Sequence, residues 1–235
     1  MSEVKRRIVV PGERLPPNVV VREREHEYVY EEEGVKYATV IGLLDERGEN
    51  PVFVPLQSIY IPKPGDVIIG LVQSIGIMNW YVDINSPYVA ILTAQDYLGR
   101  PYNPQIDDLS RYLPVGSYVK VKVLAFDRTR NPLLTVRGEE GLGRITKGKI
   151  VEVDPAKIPR VIGRKGSMLQ MLKEETGCSI FAAVNGRIHI NCPNPEIEPI
   201  LVLAIKMIEE QAHTSGLTDR VKKYISELKV IRGVK

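Results

Sequence analysis

The sequence predicts a multidomain protein with a β-rich module first, a small five-stranded barrel second and an α+β domain last. Short strand-like runs recur through the first 137 residues, and prolines and glycine interrupt them at residues 61–66. Helix-like periodicity with an apolar face becomes prominent only after residue 158. At 235 residues the chain is long enough for two or three small domains, each with its own core.

The N-terminal module, residues 1–62, is expected to be all-β. Its strand-like runs occupy residues 7–11, 28–30, 36–41 and 52–54. The turn between the second and third runs carries Glu31, Glu32 and Glu33. Because neighbouring turn side chains diverge and charge runs are usually solvated, we interpret these glutamates as a solvated rim rather than a magnesium site. Apolar strands with an acidic rim suit a protein interface better than an RNA surface.

The second domain, residues 63–137, has the spacing of a small barrel. Five strand-like runs are separated by turn signals, and they occupy residues 67–75, 80–84, 89–93, 118–127 and 133–137. The long connection at 95–114 contains three prolines and is expected to hold a short helix at 106–111. Residues 138–147 begin with a glycine-rich stretch and are expected to form a linker.

The C-terminal domain, residues 148–235, mixes strands and helices around one distinctive turn. The sequence Gly163-Arg-Lys-Gly166 stands between an apolar turn and an amphipathic helical segment. Strands are expected at 148–153, 178–183 and 187–191, and helices at 196–211 and 218–231. Two glycines flanking two cations allow a backbone to approach a polyanion closely. The amides that open the following helix also favour an anion.

Positive charge accumulates in the same domain. The whole chain carries a formal net charge of +3, whereas residues 142–235 hold 16 Lys and Arg against 10 Asp and Glu, a net +6. Residues 1–62 hold 8 against 11, a net −3, and residues 63–141 hold 8 of each. This asymmetry supports polyanion binding by the C-terminal domain.

No catalytic, metal or cofactor site is expected. The three histidines, His26, His189 and His213, fall in different parts of the chain, and no cluster of carboxylates accompanies them. The two cysteines, Cys178 and Cys192, are too few for a disulfide framework, and we expect buried thiols rather than a bridge. No apolar run approaches the roughly 20 residues that span a bilayer, so we expect a cytoplasmic protein with no membrane partner.

The order strand, helix, GxxG, helix, strand, strand, helix resembles a KH domain. In that family the GxxG loop clamps about four nucleotides by their backbone. The resemblance implies an RNA-binding segment made of Ile162, Gly163, Arg164, Lys165, Gly166 and Ser167. Replacing both Gly163 and Gly166 by Asp is expected to abolish RNA contact with the fold retained.

The second domain resembles the S-one-type OB fold of RNA-binding proteins. The resemblance rests on residues 64–72 (PGDVIIGLV), 81–84 (YVDI) and 115–123 (VGSYVKVKV). It implies that single strands bind by stacking and by basic groups, here Trp80, Tyr81, Lys120, Lys122, Arg128 and Arg130. Trp80 suits the barrel core equally well. Met78 and Thr93 stand where the family usually has phenylalanine and often has histidine, which implies weakened stacking.

The three domains in this order resemble the RNA-binding cap subunits of the archaeal exosome. The resemblance implies a non-catalytic protein that captures single-stranded RNA and guides it into the pore of a hexameric ring of phosphorolytic subunits. It also implies a trimeric cap, formed with copies of itself or with a related cap protein, and docking through the N-terminal module. The alternatives are a ribosome- or translation-associated RNA-binding protein and, less compatible with the residues, a ribonuclease in its own right.

Overall fold

The structure, a computed structural model, describes residues 6–21, 28–46, 50–212, 214 and 216–233. These residues belong to two compact units, Met1–Ser58 and Ile59–Lys235. The second unit contains both the barrel and the C-terminal α+β domain.

The first unit is built from short antiparallel strands. Its strands are β1 (Arg6–Val9), β2 (Val29–Glu32), β3 (Val35–Ala38), β4 (Gly42–Asp45) and β5 (Val52–Pro55). Strands β1, β4 and β5 form one sheet in that order, and β2 pairs with β3 as a hairpin. The predicted single strand at 36–41 is wrong, because β3 ends at Ala38 and a new strand begins at Gly42. Gly42 lies against the Phe53 ring, where no other residue type fits.

The barrel is closed by five strands of the second unit. They are β6 (Val67–Ile75), β7 (Asn79–Asp83), β8 (Val89–Thr93), β9 (Tyr118–Ala125) and β10 (Leu133–Thr135). The order is β10-β8-β7-β6-β9, and antiparallel pairing between β9 and β10 closes the ring. Alternate residues point inward, so that Val119, Val121 and Val123 of β9 are buried. The five strands and the closure confirm the predicted OB-type barrel.

The connection between β8 and β9 differs from the prediction. It contains two short helices, α1 (Ala94–Leu98) and α2 (Leu109–Tyr112), rather than one helix at 106–111. Thr93 caps α1, its Oγ1 accepting a hydrogen bond from the Asp96 amide at 3.2 Å. The segment between the helices is held by Arg100, whose guanidinium donates to Asp107 at 2.5 and 2.8 Å. This ion pair holds the pKa of Asp107 well below its usual value.

A short strand, β11 (Gly143–Arg144), lies inside the predicted linker. The strands of the C-terminal α+β domain are β12 (Lys149–Glu152), β13 (Ser179–Ala182) and β14 (Arg187–Asn191), and its helices are α3 (Ile158–Ile162), α4 (Ser167–Thr176), α5 (Ile197–Glu210) and α6 (Leu217–Arg232). Strand β11 extends the barrel sheet beside β9, while β12, β14 and β13 form a separate three-stranded sheet in that order. The helices bury their apolar faces, including Leu172, Ile200 and Val221, in one core with that sheet.

The two cysteines form a disulfide, so the expectation of free buried thiols is wrong. Ser179 of β13 pairs with Asn191 of β14, which places Cys178 and Cys192 opposite each other just beyond that pair. Their Cα atoms are 4.3 Å apart and their sulfur atoms 2.08 Å apart. The sequence spacing alone did not indicate that the hairpin register aligns the two cysteines.

In the part of the chain that the structure describes, no helix is long and apolar enough to cross a membrane.

Candidate nucleic-acid interface

The Gly163–Gly166 turn joins α3 to α4 with left-handed backbone angles. Gly163 has φ +77°, Lys165 has φ +52° and Gly166 has φ +80°. The turn is closed by hydrogen bonds from the Gly163 amide to the Pro159 carbonyl at 2.9 Å and from the Gly166 amide to the Gly163 carbonyl at 3.2 Å. Because Lys165 adopts an angle that side chains rarely adopt, its presence there indicates that the surrounding turn enforces this conformation.

The two glycines serve different purposes. A Cβ on Gly163 would lie 2.6 Å from the Met168 backbone nitrogen and 2.8 Å from the Met168 Cβ, so a side chain there displaces the first turn of α4. A Cβ on Gly166 would meet no heavy atom within 4 Å. We therefore expect Asp at Gly163 to destabilise the start of α4, and retention of the fold in the double variant stays a prediction.

Positive charge and helix amides are presented at this turn. Arg164, Lys165 and Ser167 are exposed. Within the described residues, neither Arg164 nor Lys165 has an ion pair or side-chain hydrogen bond. Helix α4 begins at Ser167 without a side-chain cap. The Ser167 amide donates to the Arg164 carbonyl, so only the amides that follow it in the first turn of α4 lack a capping partner. Two cations without partners among the described residues therefore stand at the uncapped start of α4.

Partly buried apolar side chains lie on the elements beside the turn. Ile162 of α3, Leu169 of α4 and Ala182 of β13 are partly buried and pack against the same core. Both helices contact β13, which is an edge strand of its sheet. We call the surface between α3, α4 and this strand edge the KH groove.

The structure places Trp80 in the barrel core and not on a surface. Its side chain is 0% exposed, and its Nε1–H donates to the Leu113 carbonyl at 3.0 Å. Trp80 therefore cannot stack on a base, and its assignment as an RNA contact is wrong. Alternation along β7 turns Trp80 inward and the next residue, Tyr81, outward.

Tyr81 lies on the outer face of the barrel, with 37% of its surface exposed. It is in register with Ile91 of β8, which is in register with Leu133 of β10. Arg128 and Arg130 are exposed in the loop that leads into Leu133. The loop that carries Arg128 and Arg130 therefore enters the sheet at Leu133, in the register row that contains Tyr81.

Lys120 and Lys122 lie on β9, away from Tyr81, and both have partners within the chain. The Lys120 Nζ is 3.9 Å from the centroid of the Phe181 ring on β13. The Lys122 Nζ is 2.7 Å from Glu139 Oε1 in the segment after β10. The predicted barrel residues are thus divided between two surfaces, and Lys120 contacts the KH-like domain while Lys122 pairs with the segment after β10.

Sequence reasoning missed two residues that join the barrel to the C-terminal domain. Asn185, at the turn between β13 and β14, is 0% exposed. Its Nδ2 donates to the Ile69 and Ile84 carbonyls at 2.8 and 2.9 Å, and the Asn85 side chain donates to its carbonyl at 2.7 Å. The Asn-Gly pair signalled a hairpin turn, but no local pattern signalled that the turn inserts between barrel strands.

Arg187 completes this junction. Its guanidinium is 4% exposed and forms ion pairs with Asp83 on the barrel and with Glu152 on β12, the latter at 2.9 Å. Burial alone would lower the pKa of Arg187, but the hydrogen bonds to the two carboxylates outweigh it and raise the pKa. A buried, fully charged residue paired on both sides holds the two domains in one arrangement.

No group of three or more His, Cys, Asp or Glu that could hold a metal occurs among the described residues. His189 donates to the Lys147 carbonyl at 2.8 Å, whereas His26 and His213 lie outside the described residues.

Comparison with known proteins identifies the family of the C-terminal domain and the family of the whole chain. A family model described as "KH domain" matches residues 148–196. Exosome complex component Rrp4 of Aeropyrum pernix is 61% identical over 230 residues, which cover 97% of this chain and 96% of that protein. The chain belongs to the Rrp4 family of exosome complex components.

Other members of the Rrp4 family match along almost the whole chain. The Rrp4 components of Ignisphaera aggregans and Saccharolobus solfataricus are each 44% identical to this chain. The alignments cover 98% and 97% of this chain, respectively, and 93% of each relative. A crystal structure described as that of an exosome complex RNA-binding protein is 64% identical, with a TM-score of 0.71, and covers 74% of this chain and 99% of its own. The predicted family resemblance and the predicted KH domain are confirmed.

Proposed function

We propose that this chain is the non-catalytic RNA-binding cap subunit of an exosome, a complex that degrades RNA from the 3′ end. It captures single-stranded RNA and guides it into the pore of a hexameric ring of phosphorolytic subunits in the cytoplasm. The observation that supports this proposal most directly is that Arg164 and Lys165 are exposed, without partners among the described residues, at the uncapped start of α4. Membership of the Rrp4 family connects this phosphate site with RNA degradation.

The KH domain supplies the main grip, and the grip is directed at the RNA backbone. Phosphate contacts hold a strand without selecting its sequence. The barrel adds Tyr81, Arg128 and Arg130 as a weaker surface, because Trp80 is buried and Met78 and Thr93 are not stacking platforms. Weak sites suit a protein that must release RNA as well as capture it.

The N-terminal unit is proposed to seat the chain on the ring, in a trimeric cap formed with copies of itself or with a related cap protein. Its support is the set of exposed apolar side chains that the unit presents, Ile8, Val10, Val20, Tyr30 and Ile41. Tethering several weak RNA sites around one pore raises the effective concentration and can add about 10²–10⁴-fold in avidity.

The grip is tested by titrating the full chain with a labelled single-stranded RNA at several salt concentrations. Replacing Arg164 and Lys165 by Ala removes two phosphate contacts, so we expect weaker binding and a slope of log K against log salt reduced by about 1.4. The matched control is Lys223→Ala with Arg232→Ala, which removes the same charge from exposed positions of α6. An unchanged slope in the Arg164 and Lys165 variant would contradict the phosphate clamp.

Two further experiments distinguish this function from a nuclease and from a ribosome-associated protein. Incubating labelled RNA with the purified chain and inorganic phosphate should leave the RNA intact, whereas shortening that persists through further purification would indicate a nuclease. Affinity capture of the tagged chain from its native cells should recover phosphorolytic subunits. Recovery of ribosomal proteins without those subunits would indicate a ribosome-associated protein instead.

A further inference from the structure

The outward side chains of β9 form a stripe between the barrel and the KH domain. Alternation along β9 turns Lys120 and Lys122 outward, two residues apart, while Val121 between them is buried. Lys120 rests on Phe181 of the KH domain at 3.9 Å, and Lys122 is paired with Glu139 at 2.7 Å. We call Lys120 and Lys122 the lysine stripe.

The lysine stripe lies one strand away from the KH groove. Phe181 and Ala182 are neighbours on β13, so their side chains point to opposite faces of the sheet. Ala182 packs with the helical core on the groove side, whereas Phe181 meets Lys120 on the other side. In the described part of the chain no strand pairs with the outer edge of β13. A chain lying in the groove therefore reaches the lysine stripe by crossing one strand edge.

The Glu139 carboxylate accepts a hydrogen bond from the Lys122 ammonium, as a phosphate oxygen of RNA would. The side chain of Lys122 is 32% exposed and that of Glu139 is 42% exposed. An ion pair with this much solvent access is weak and exchanges readily with other anions. The carboxylate is carried by a segment with left-handed glycines at Gly138 and Gly141 on either side, and a segment of this kind can move aside.

We propose that RNA leaving the KH groove crosses the edge of β13 and binds its next phosphates to Lys120 and Lys122, with Glu139 as an internal competitor that the RNA displaces. This inference rests on the proposed function and gives the RNA a continuous route from the KH domain to the barrel. It also assigns Glu139 the role of limiting affinity, which favours release.

The test is Glu139→Gln in the full chain, titrated with single-stranded RNAs of 4 and of about 12 nucleotides. The KH loop clamps about four nucleotides, so the short RNA does not reach the stripe. With the long RNA we expect affinity to rise about two- to fivefold at low salt, because Lys122 no longer has a competing anion. The salt slope should steepen by at most about 0.7, the value for one phosphate contact on a single strand. The short RNA should bind both proteins equally.

Two variants make the result specific. Glu140→Gln removes the same charge from the neighbouring exposed residue and should leave affinity for the long RNA nearly unchanged. Adding Lys122→Ala to Glu139→Gln should abolish the gain. An equal gain in both glutamine variants, a gain with the short RNA or no gain with the long RNA would each overturn the proposal. If the Arg164 and Lys165 variant still loses binding in that case, the KH grip stands and only the route fails.

Discussion

Gly163 and Gly166 look equivalent in sequence, but their surroundings make them physically different residues. Both have positive φ angles, which cost a side chain about 1–2 kcal/mol. Only Gly163 also faces backbone, with a would-be Cβ 2.6 Å from the Met168 nitrogen. The first glycine of the motif is therefore required for α4 to begin where it does, and the second is required mainly for the turn.

We predict that Gly166→Ala lowers the free energy of unfolding by about 1–2 kcal/mol. Gly163→Ala should cost about 1–3 kcal/mol more, because the added methyl group overlaps the start of α4. Urea denaturation of the two variants checks the order, and RNA titration should show that Gly166→Ala retains more binding. Equal losses of stability would mean that α4 moves aside without cost.

At the scale of single elements, the strand register of the β13–β14 hairpin determines that the two cysteines can form a disulfide. Strand pairing places Cys178 and Cys192 opposite each other, and the disulfide closes the open end of the hairpin. Gly177 links Cys178 to the end of α4, so the bridge also ties that helix to the central strand of the sheet. Disulfides are rare in most intracellular proteins, with proteins of hyperthermophilic archaea a recognised exception.

We predict that reduction lowers the stability of the KH domain. A bridge that spans 14 residues contributes about 3 kcal/mol by restricting the unfolded chain. Denaturation with and without tris(2-carboxyethyl)phosphine measures the difference. The double variant Cys178→Ala, Cys192→Ala is the control, since the reductant should not alter its curve. A wild-type curve that does not move under full reduction would contradict a stabilising role.

At the scale of the whole described unit of residues 59–235, the hairpin turn binds the barrel to the KH domain. Asn185 satisfies the carbonyls of Ile69 and Ile84, which the barrel leaves open between its strands. Val184 packs against the barrel core beside it. The turn that closes the KH sheet therefore also contacts the barrel strands, which holds the KH sheet against the barrel.

We predict that Asn185→Ala destabilises this unit by about 1–3 kcal/mol, because the Ile84 carbonyl loses its side-chain donor and the Ile69 carbonyl keeps only the longer hydrogen bond from Arg187 at 3.3 Å. Hydrogen exchange should show faster exchange of barrel amides next to the turn, including Ile69, whose N–H lies 3.4 Å from Asn185 Oδ1. Asn191→Ala, an exposed asparagine on the same hairpin, is the matched control. Similar small effects in both variants would show that the junction depends on other contacts.

The sequence alone determined which segments form the barrel and the KH domain, because strand alternation, helical periodicity and turn residues are local properties. Strands 67–75, 89–93 and 187–191 were predicted with the bounds that the structure has, and the exposed Gly163–Gly166 turn was located by its own residues. Local patterns also carried the family resemblance, since the KH order and the GxxG turn are read from contiguous residues.

Only the tertiary structure decided which side chains are free to act. Trp80 is buried, Lys122 is paired with a glutamate 17 residues later, and Asn185 reaches a barrel strand 116 residues earlier. The physical reason is that burial and pairing depend on which distant segments meet. The local sequence gives the chemical type of a residue and the face of the strand to which its side chain points. Its contact partners depend on how one domain packs on another.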